Sequence, residues 1–190
     1  DGVRNAILIR LLYMKIDIAC TFEKIYAEES DTIFRFCAIR VSNKEQALDI
    51  TQETFLRLWQ TLSTGEKVKN PRAFLFLVAR RLIIDWYRKK KSVSLENIMY
   101  KDGEVAYDPV DEKTMDILNI KAEGRFLLER INDLSDIFRD PVHLSFIEGL
   151  SPKEIGDILG LSANTVSVRV HRGIEELRKN TGYEKNKKTK

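Results

Sequence analysis

At 190 residues the chain is long enough for one ordinary domain or two small ones, and with 32% charged side chains but a net charge of only +3 it offers no global electrostatic argument for a nucleic-acid partner. The placement of the charges has to decide that question. Cys20 and Cys37 form no C-x-x-C pair, and His143 and His171 are the only histidines, so neither a disulfide framework nor a zinc site is indicated and a reducing cytoplasm is the natural inference. No paired histidine and nucleophile, P-loop or metal-ligand spacing points to catalysis, to a cofactor or to a metal.

In chain order, Val3 to Tyr13 is an apolar run with two arginines, too short to span a bilayer. Lys15 and Asp17 follow directly and no small-residue cleavage pattern is present, which argues against a signal peptide. Residues 1–14 read as an N-terminal extension with Met14 as the native start. From Thr21 to Val41, Phe22, Ile25, Tyr26, Ile33, Phe34, Cys37 and Val41 recur at helical spacing, with Ser30 and Asp31 as a cap between two shorter helices. Glu45 to Leu62 is an amphipathic helix. Leu48, Phe55, Leu58, Trp59 and Leu62 line its apolar side, and Asp49, Gln52, Glu53 and Arg57 lie opposite, where on the residues alone they read as a solvated face.

After a polar loop, Ser63 to Asn70, the pair Asn70–Pro71 opens a third helix as N-cap and first helical residue. Ala73 to Ala79 is apolar on nearly all sides. The following turns interleave cations and aromatics: Arg80, Arg81, Trp86, Tyr87, Arg88, Lys89, Lys90 and Lys91. Cations beside aromatics suit melted DNA, since phosphates meet the former and unstacked bases the latter. Core packing of Trp86 is an equal alternative, and the lysine run also fits a solvated helix end. Between Ser92 and Ile117 seven acids face two lysines with no sustained period, which reads as a linker.

Helical order returns with Ile117, Ile120, Leu127, Ile131 and Leu134. Asp140 and Pro141 then repeat the cap-plus-proline start for a short helix with Val142, Phe146 and Ile147 that ends at Gly149. The final pattern is the strongest. Ser151, Pro152 and Glu154 form a capping-box start, Ile155, Ile158 and Leu159 one apolar face, Gly160 a left-handed stop, and Ser162 the cap of a second helix. That helix buries Val166, Val170, Ile174 and Leu177 and turns Asn164, Thr165, Ser167, Arg169 and Arg172 outward, as a helix-turn-helix presents its second helix to the major groove. The tail to Lys190 is polar and lysine-rich.

The segments DITQETFLRLW (Asp49 to Trp59), PRAFLFLVARRLIIDWYRKKK (Pro71 to Lys91) and EGLSPKEIGDILGLSANTVSVRVHRGIEELR (Glu148 to Arg178) together resemble a sigma-70 superfamily initiation factor of the extracytoplasmic-function group. The resemblance implies an all-α protein: domain 2 over 15–91, an acidic linker over 92–117, domain 4 over 118–182 and a basic tail over 183–190. It implies that Asp49, Gln52, Glu53 and Arg57 dock on core RNA polymerase. Arg80, Arg81, Trp86, Arg88, Lys89 and Lys90 would contact the −10 element as it melts, and Ser162, Asn164, Thr165, Ser167, Arg169 and Arg172 the −35 element. It further implies promoter DNA and an anti-sigma factor, often membrane-anchored, as partners of a cytoplasmic chain that is monomeric when free and inserts in no membrane itself. Ser167 and Val168 depart from the lysine and serine of many relatives, and Ser135 stands where a proline is common. The rival readings are a stand-alone helix-turn-helix regulator that binds duplex DNA without polymerase, and an adaptor that uses these helices for protein contacts alone.

Overall fold

The computed structural model describes residues 2–41, 43–93 and 122–180. Among them are seven helices and no strand: α1 (Gly2–Val41), α2 (Lys44–Ser63), α3 (Pro71–Val93), α4 (Ala122–Asn132), α5 (Asp136–Phe146), α6 (Pro152–Leu159) and α7 (Ala163–Asn180). The acidic linker from residue 94 on, Ile117, Ile120 and residues 181–190 lie outside the described residues. No described helix is long and apolar enough to cross a membrane.

The break expected at Ser30–Asp31 is absent, and α1 runs through it as one helix of 40 residues. Nothing between Val3 and Val41 is Gly or Pro, so a local cap has no help from a helix breaker. Glu29 also occupies the stripe position between Ile25 and Ile33 and pairs with Arg72 of α3 at 3.5 Å, so the inward face stays continuous. Ile33, Phe36, Cys37 and Val41 are buried, whereas Tyr26 is exposed on the outer side.

Asn43 caps α2 by accepting a hydrogen bond from the Gln46 N–H at 2.9 Å. Its buried face is Ala47, Ile50, Thr51, Thr54, Phe55 and Leu58. Leu48 and Trp59, expected in the core, are exposed instead. The two threonines explain the rotation: Thr51 and Thr54 donate their hydroxyls to the carbonyls of Ala47 and Ile50, each at 2.7 Å, and can be buried without an unmet polar group.

Asn70 caps α3 as expected, accepting from the Ala73 N–H at 3.0 Å. Ala73, Leu75, Phe76, Val78, Ala79 and Ile83 are buried, and Phe76 meets Phe36 edge-on at 4.9 Å between ring centroids. Each large side chain so enclosed contributes about 1.5–3 kcal/mol relative to exposure.

In the second half the start expected at Asp140–Pro141 is overturned. Helix α5 begins at Asp136 with Ser135 in the cap position, and Pro141 lies inside it. Asp140 does not cap because its carboxylate is committed to arginines of the first half. Ser135 has its own explanation: its N–H donates to Glu176 of α7 at 2.9 Å, a bond that proline lacks the hydrogen to make. Leu127, Phe146 and Ile147 are exposed, while Ile131, Leu134, Val142 and Leu177 close a small core with Ile174 against it.

Around the turn, Ser151 and Glu154 form the reciprocal capping box, and Gly160 adopts φ 69° as the stop of α6. Two other glycines are packing requirements. A Cβ on Gly173 of α7 would sit 2.5 Å from Val142 of α5, and one on Gly156 would sit 2.5 Å from the backbone oxygen of Leu161. The two halves then share one core: Leu144, Leu150, Ile155, Ile158 and Val166 belong to the same apolar cluster as Ile33, Phe36, Leu75 and Phe76.

Gly156→Ala is expected to destabilise the chain by about 1–3 kcal/mol, because rigid backbone at the turn cannot yield to the added methyl as a flexible side chain would. Urea denaturation followed by circular dichroism checks this. A midpoint equal to that of the parent protein would contradict the packing assigned to the turn.

Candidate nucleic-acid interface

The acidic face of α2 is where its sequence puts it. Asp49 and Gln52 are exposed, and Glu53 and Arg57 are half-buried and paired with each other at 2.9 Å one helical turn apart. Beside them lie exposed Leu48, Leu56 and Trp59, the last standing edge-on to Phe22 at 5.3 Å. Large apolar groups held at the surface next to carboxylates make a face suited to another protein. Reading Leu48 and Trp59 as core hid this part of the surface from sequence reasoning, and Leu56 was assigned to neither face.

Along α3 the expected cations divide into two groups. Arg81, Arg88, Lys89 and Lys90 are exposed, Arg88 standing 3.9 Å from Asp85 in a solvent-facing pair of small energetic weight. Arg80 is partly buried, with its Nε 3.0 Å from Asp140 Oδ2 of α5. Trp86 is half-buried: it packs against the core cluster, meets Tyr87 at 4.7 Å and carries Lys90 Nζ 5.0 Å from its ring. Its neighbours Lys89 and Leu82 form one wall of a groove of about 260 Å³ whose other wall is Asp49, Glu53 and Arg57 of α2. The residues expected to face polymerase and those expected to face melted DNA are therefore adjacent across a single groove.

Helix α7 exposes Asn164, Ser167 and Arg172, with Thr165 and Arg169 half-buried. Local bonds limit what some of these can offer. Ser162 accepts the Thr165 N–H at 3.1 Å, and the two hydroxyls lie 2.8 Å apart, so both serve the cap. Ser167 donates to the Ala163 carbonyl at 3.0 Å. Beside it the exposed Val168 presents an apolar group of the kind that meets a thymine methyl in the major groove. The ends of α7 differ accordingly, with small neutral groups first and Arg169 and Arg172 later.

A buried polar cluster escaped sequence reasoning entirely. Arg40 of α1 has no solvent exposure: its guanidinium lies 3.5 Å from the centroid of the Phe36 ring, donates to the Phe36 carbonyl at 3.1 Å and reaches Asp140 Oδ1 at 3.5 Å. His143 Nε2 stands 3.1 Å from Glu148 Oε1 and 3.5 Å from Arg40 Nη1. Burial first, and then the Arg40 charge, hold this imidazole below the ordinary histidine range despite the pull of Glu148 and Asp140. The capping bonds from Ser151 hold Glu154 below the usual carboxylate range, and burial raises the Cys37 thiol to about 12, which leaves it inert. The one available signal was an arginine set within an apolar run, FRFCAIRV.

Comparison with known proteins covers both halves of the chain. The family model for sigma-70 region 2 matches residues 25–93, and that for sigma-70 region 4 matches residues 130–179. The chain is 33% identical over 162 residues to the ECF RNA polymerase sigma factor SigW of Bacillus subtilis, covering 78% of this chain and 82% of that protein. It is 28% identical over 161 residues to the ECF RNA polymerase sigma factor SigL of Mycobacterium tuberculosis, covering 84% and 88%. Among solved structures it is similar in fold to the sigma factor RpoE in complex with the anti-sigma factor NepR from Bartonella quintana, with a TM-score of 0.61, 19% identity and coverage of 87% and 99%.

The buried imidazole sets a pH dependence. His143 is held neutral by burial and by the charge of Arg40, against the opposing pull of Glu148 and Asp140. Below about pH 6.5 the unfolded chain takes up a proton that the folded site refuses, so stability falls as pH drops from 6.5 toward the lowered folded value. Urea midpoints measured down through this window should decline, and His143→Gln should flatten the decline. Equal slopes in the two proteins would show that His143 titrates normally.

Proposed function

Since the chain belongs to the sigma-70 family of RNA polymerase initiation factors, in its extracytoplasmic-function group, we propose that α2 and α3 bind core polymerase and the −10 element while α7 reads the −35 element. In this division residues 15–91 act as domain 2 and 118–182 as domain 4, with 92–117 as the tether. The protein works by recruitment: it gives core polymerase two sequence-reading surfaces, helps open the duplex at one of them and makes or breaks no covalent bond. The family's role is that of a non-enzymatic initiation factor acting in the cytoplasm, with the free chain a monomer.

The observation that carries this reading is the outward face of α7, where Asn164, Val168 and Arg172 project from a helix whose entry is fixed by two caps. Around it the physical roles follow. Asn164 and Val168 are short and lie near the helix N-terminus, where base edges are in reach. Arg169 and Arg172 come later along the helix, and cations there meet phosphate. On α3, exposed Arg81, Lys89 and Lys90 neutralise the strand backbone, and the Trp86 ring offers an unstacked base a face for stacking. On α2, Asp49, Gln52 and Glu53 supply acceptors, and Leu48, Leu56 and Trp59 supply apolar area, to a partner surface. An anti-sigma factor that covers these same faces would silence the protein. A stand-alone regulator would leave the acidic and apolar face of α2 without a purpose.

Run-off transcription with core polymerase from the source organism, on its own upstream regions, tests the reading. Specific start sites appearing only with this protein are expected. Tight duplex binding without polymerase and no transcripts would favour the stand-alone regulator. Arg172→Ala should weaken promoter binding by about 1 kcal/mol and make its salt dependence shallower, as loss of one phosphate contact does. An unchanged slope removes Arg172 from the phosphate surface. Glu53→Arg should weaken affinity for core polymerase while leaving DNA binding by α7 intact, and pull-down of core by the variant at parental strength would exclude this face.

A further inference from the structure

On the outward side of α7 the first turns hold several hydroxyls, but their bonds are already local. Ser162 and Thr165 serve the cap, and Ser167 donates to the Ala163 carbonyl. Asn164 and Arg172 are exposed, and between them stands Val168, 43% exposed. Its neighbours on the helix are used differently: Val166 is fully buried and Val170 packs against the core cluster, whereas Val168 belongs to neither cluster of the described residues. A β-branched residue facing solvent gives up helix propensity and gains no packing in return.

Asn164, Val168 and Arg172 are spaced by four and so form one line along the helix. Successive members lie about 6 Å apart along the axis, less than two base steps of about 3.4 Å. In the major groove an asparagine amide pairs bidentately with adenine N6 and N7, and the thymine methyl is the one apolar group on any base edge. The Val168 isopropyl group has no donor or acceptor, so it gains contact only at that methyl. Against a cytosine amine or a guanine carbonyl it would strip water from a polar group and offer no bond in exchange.

We propose that Val168 is a specificity-determining residue: it reads the methyl group of one thymine in the −35 element, within two base pairs of an adenine read by Asn164, while Arg172 holds the flanking phosphate. The assignment rests on α7 reading the −35 element and adds which bases it selects. Preference at the Val168 position then depends on a methyl group and not on hydrogen bonding.

Holoenzyme assembled from the full chain and core polymerase is titrated with promoter duplexes in which each thymine of the −35 element is replaced in turn by uracil. This removes the methyl and leaves every hydrogen-bonding group in place. One replacement should weaken binding by about threefold to fivefold, the factor that one buried methyl carries, and Val168→Ala should abolish that difference. An adenine analogue lacking N7, placed within two base pairs of that thymine, should weaken binding by the parent and not by Asn164→Ala. An element without thymine, no effect of uracil at any position, or an equal effect in parent and Val168→Ala overturns the assignment. The uracil scan on the parent needs no variant, so a folding defect in Val168→Ala does not remove the test. If no polymerase-dependent start site is found, it is the sigma-factor reading that fails. The same scan on duplexes bound by the chain alone then decides for Val168 if the methyl is still sensed, and against it if not.

Discussion

A guanidinium with no access to water governs this molecule. Arg40 cannot discharge itself by losing a proton, so its buried charge needs an anion close by. Phe36 offers a ring face and a carbonyl from one turn earlier in α1, and Asp140 offers charge from the far half of the chain. The Arg40 backbone is used as well, its carbonyl accepting the Tyr87 hydroxyl of α3. One residue thus touches α1, α3 and α5, and the packing of the apolar cluster around it fixes how the halves face each other. Nonspecific apolar contact alone would tolerate many such orientations.

The exposed polar faces are arranged around that constraint. Helix α2 gives its inward face to Phe55, Leu58 and two satisfied threonines, which turns Asp49, Gln52 and Leu48 out into solvent. Helix α3 is apolar through Ala79 and cationic after it, so its first half anchors the body and its second half meets solvent. Helix α7 crosses α5 at Gly173 closely enough that no side chain fits between, and this approach supports the face carrying Asn164 and Arg172. In each case a rigid buried stripe aims a small set of exposed polar groups. A chain with a net charge of only +3 can in this way present distinct cationic and acidic faces.

The local signals in the sequence were readable because they are short-range physics. The Ser151–Glu154 box, the Gly160 stop and the Asn70 cap each depend on residues within four positions, and each occurs as its pattern dictates. The misreadings share a different cause. Ser30–Asp31 looked like a cap because two polar residues interrupt an apolar run, but Glu29 is recruited inward by Arg72, more than forty positions away in sequence. Asp140–Pro141 looked like a helix start because that dipeptide resembles Asn70–Pro71, yet Asp140 is claimed by Arg40 and Arg80. Leu48 and Trp59 were assigned inward by spacing alone, which cannot see that Thr51 and Thr54 meet their own hydrogen-bonding needs and take the buried face. The outward polar positions of α2 and α7, such as Asp49, Gln52, Asn164 and Arg172, were legible from helical spacing. What was not legible is that Arg80 is already engaged, since only the tertiary fold brings α5 to it.

The two halves matched by the sigma-70 region 2 and region 4 models share one core, and we infer that they part when two promoter elements are read at once. The most direct measurement is the distance between fluorescent labels on α2 and α7, in the free protein and again in complex with core polymerase and promoter DNA. A single short distance is expected in the free chain, and one longer by several tens of ångströms in the complex, on the scale of the duplex between the elements. The same short distance in both states would contradict it.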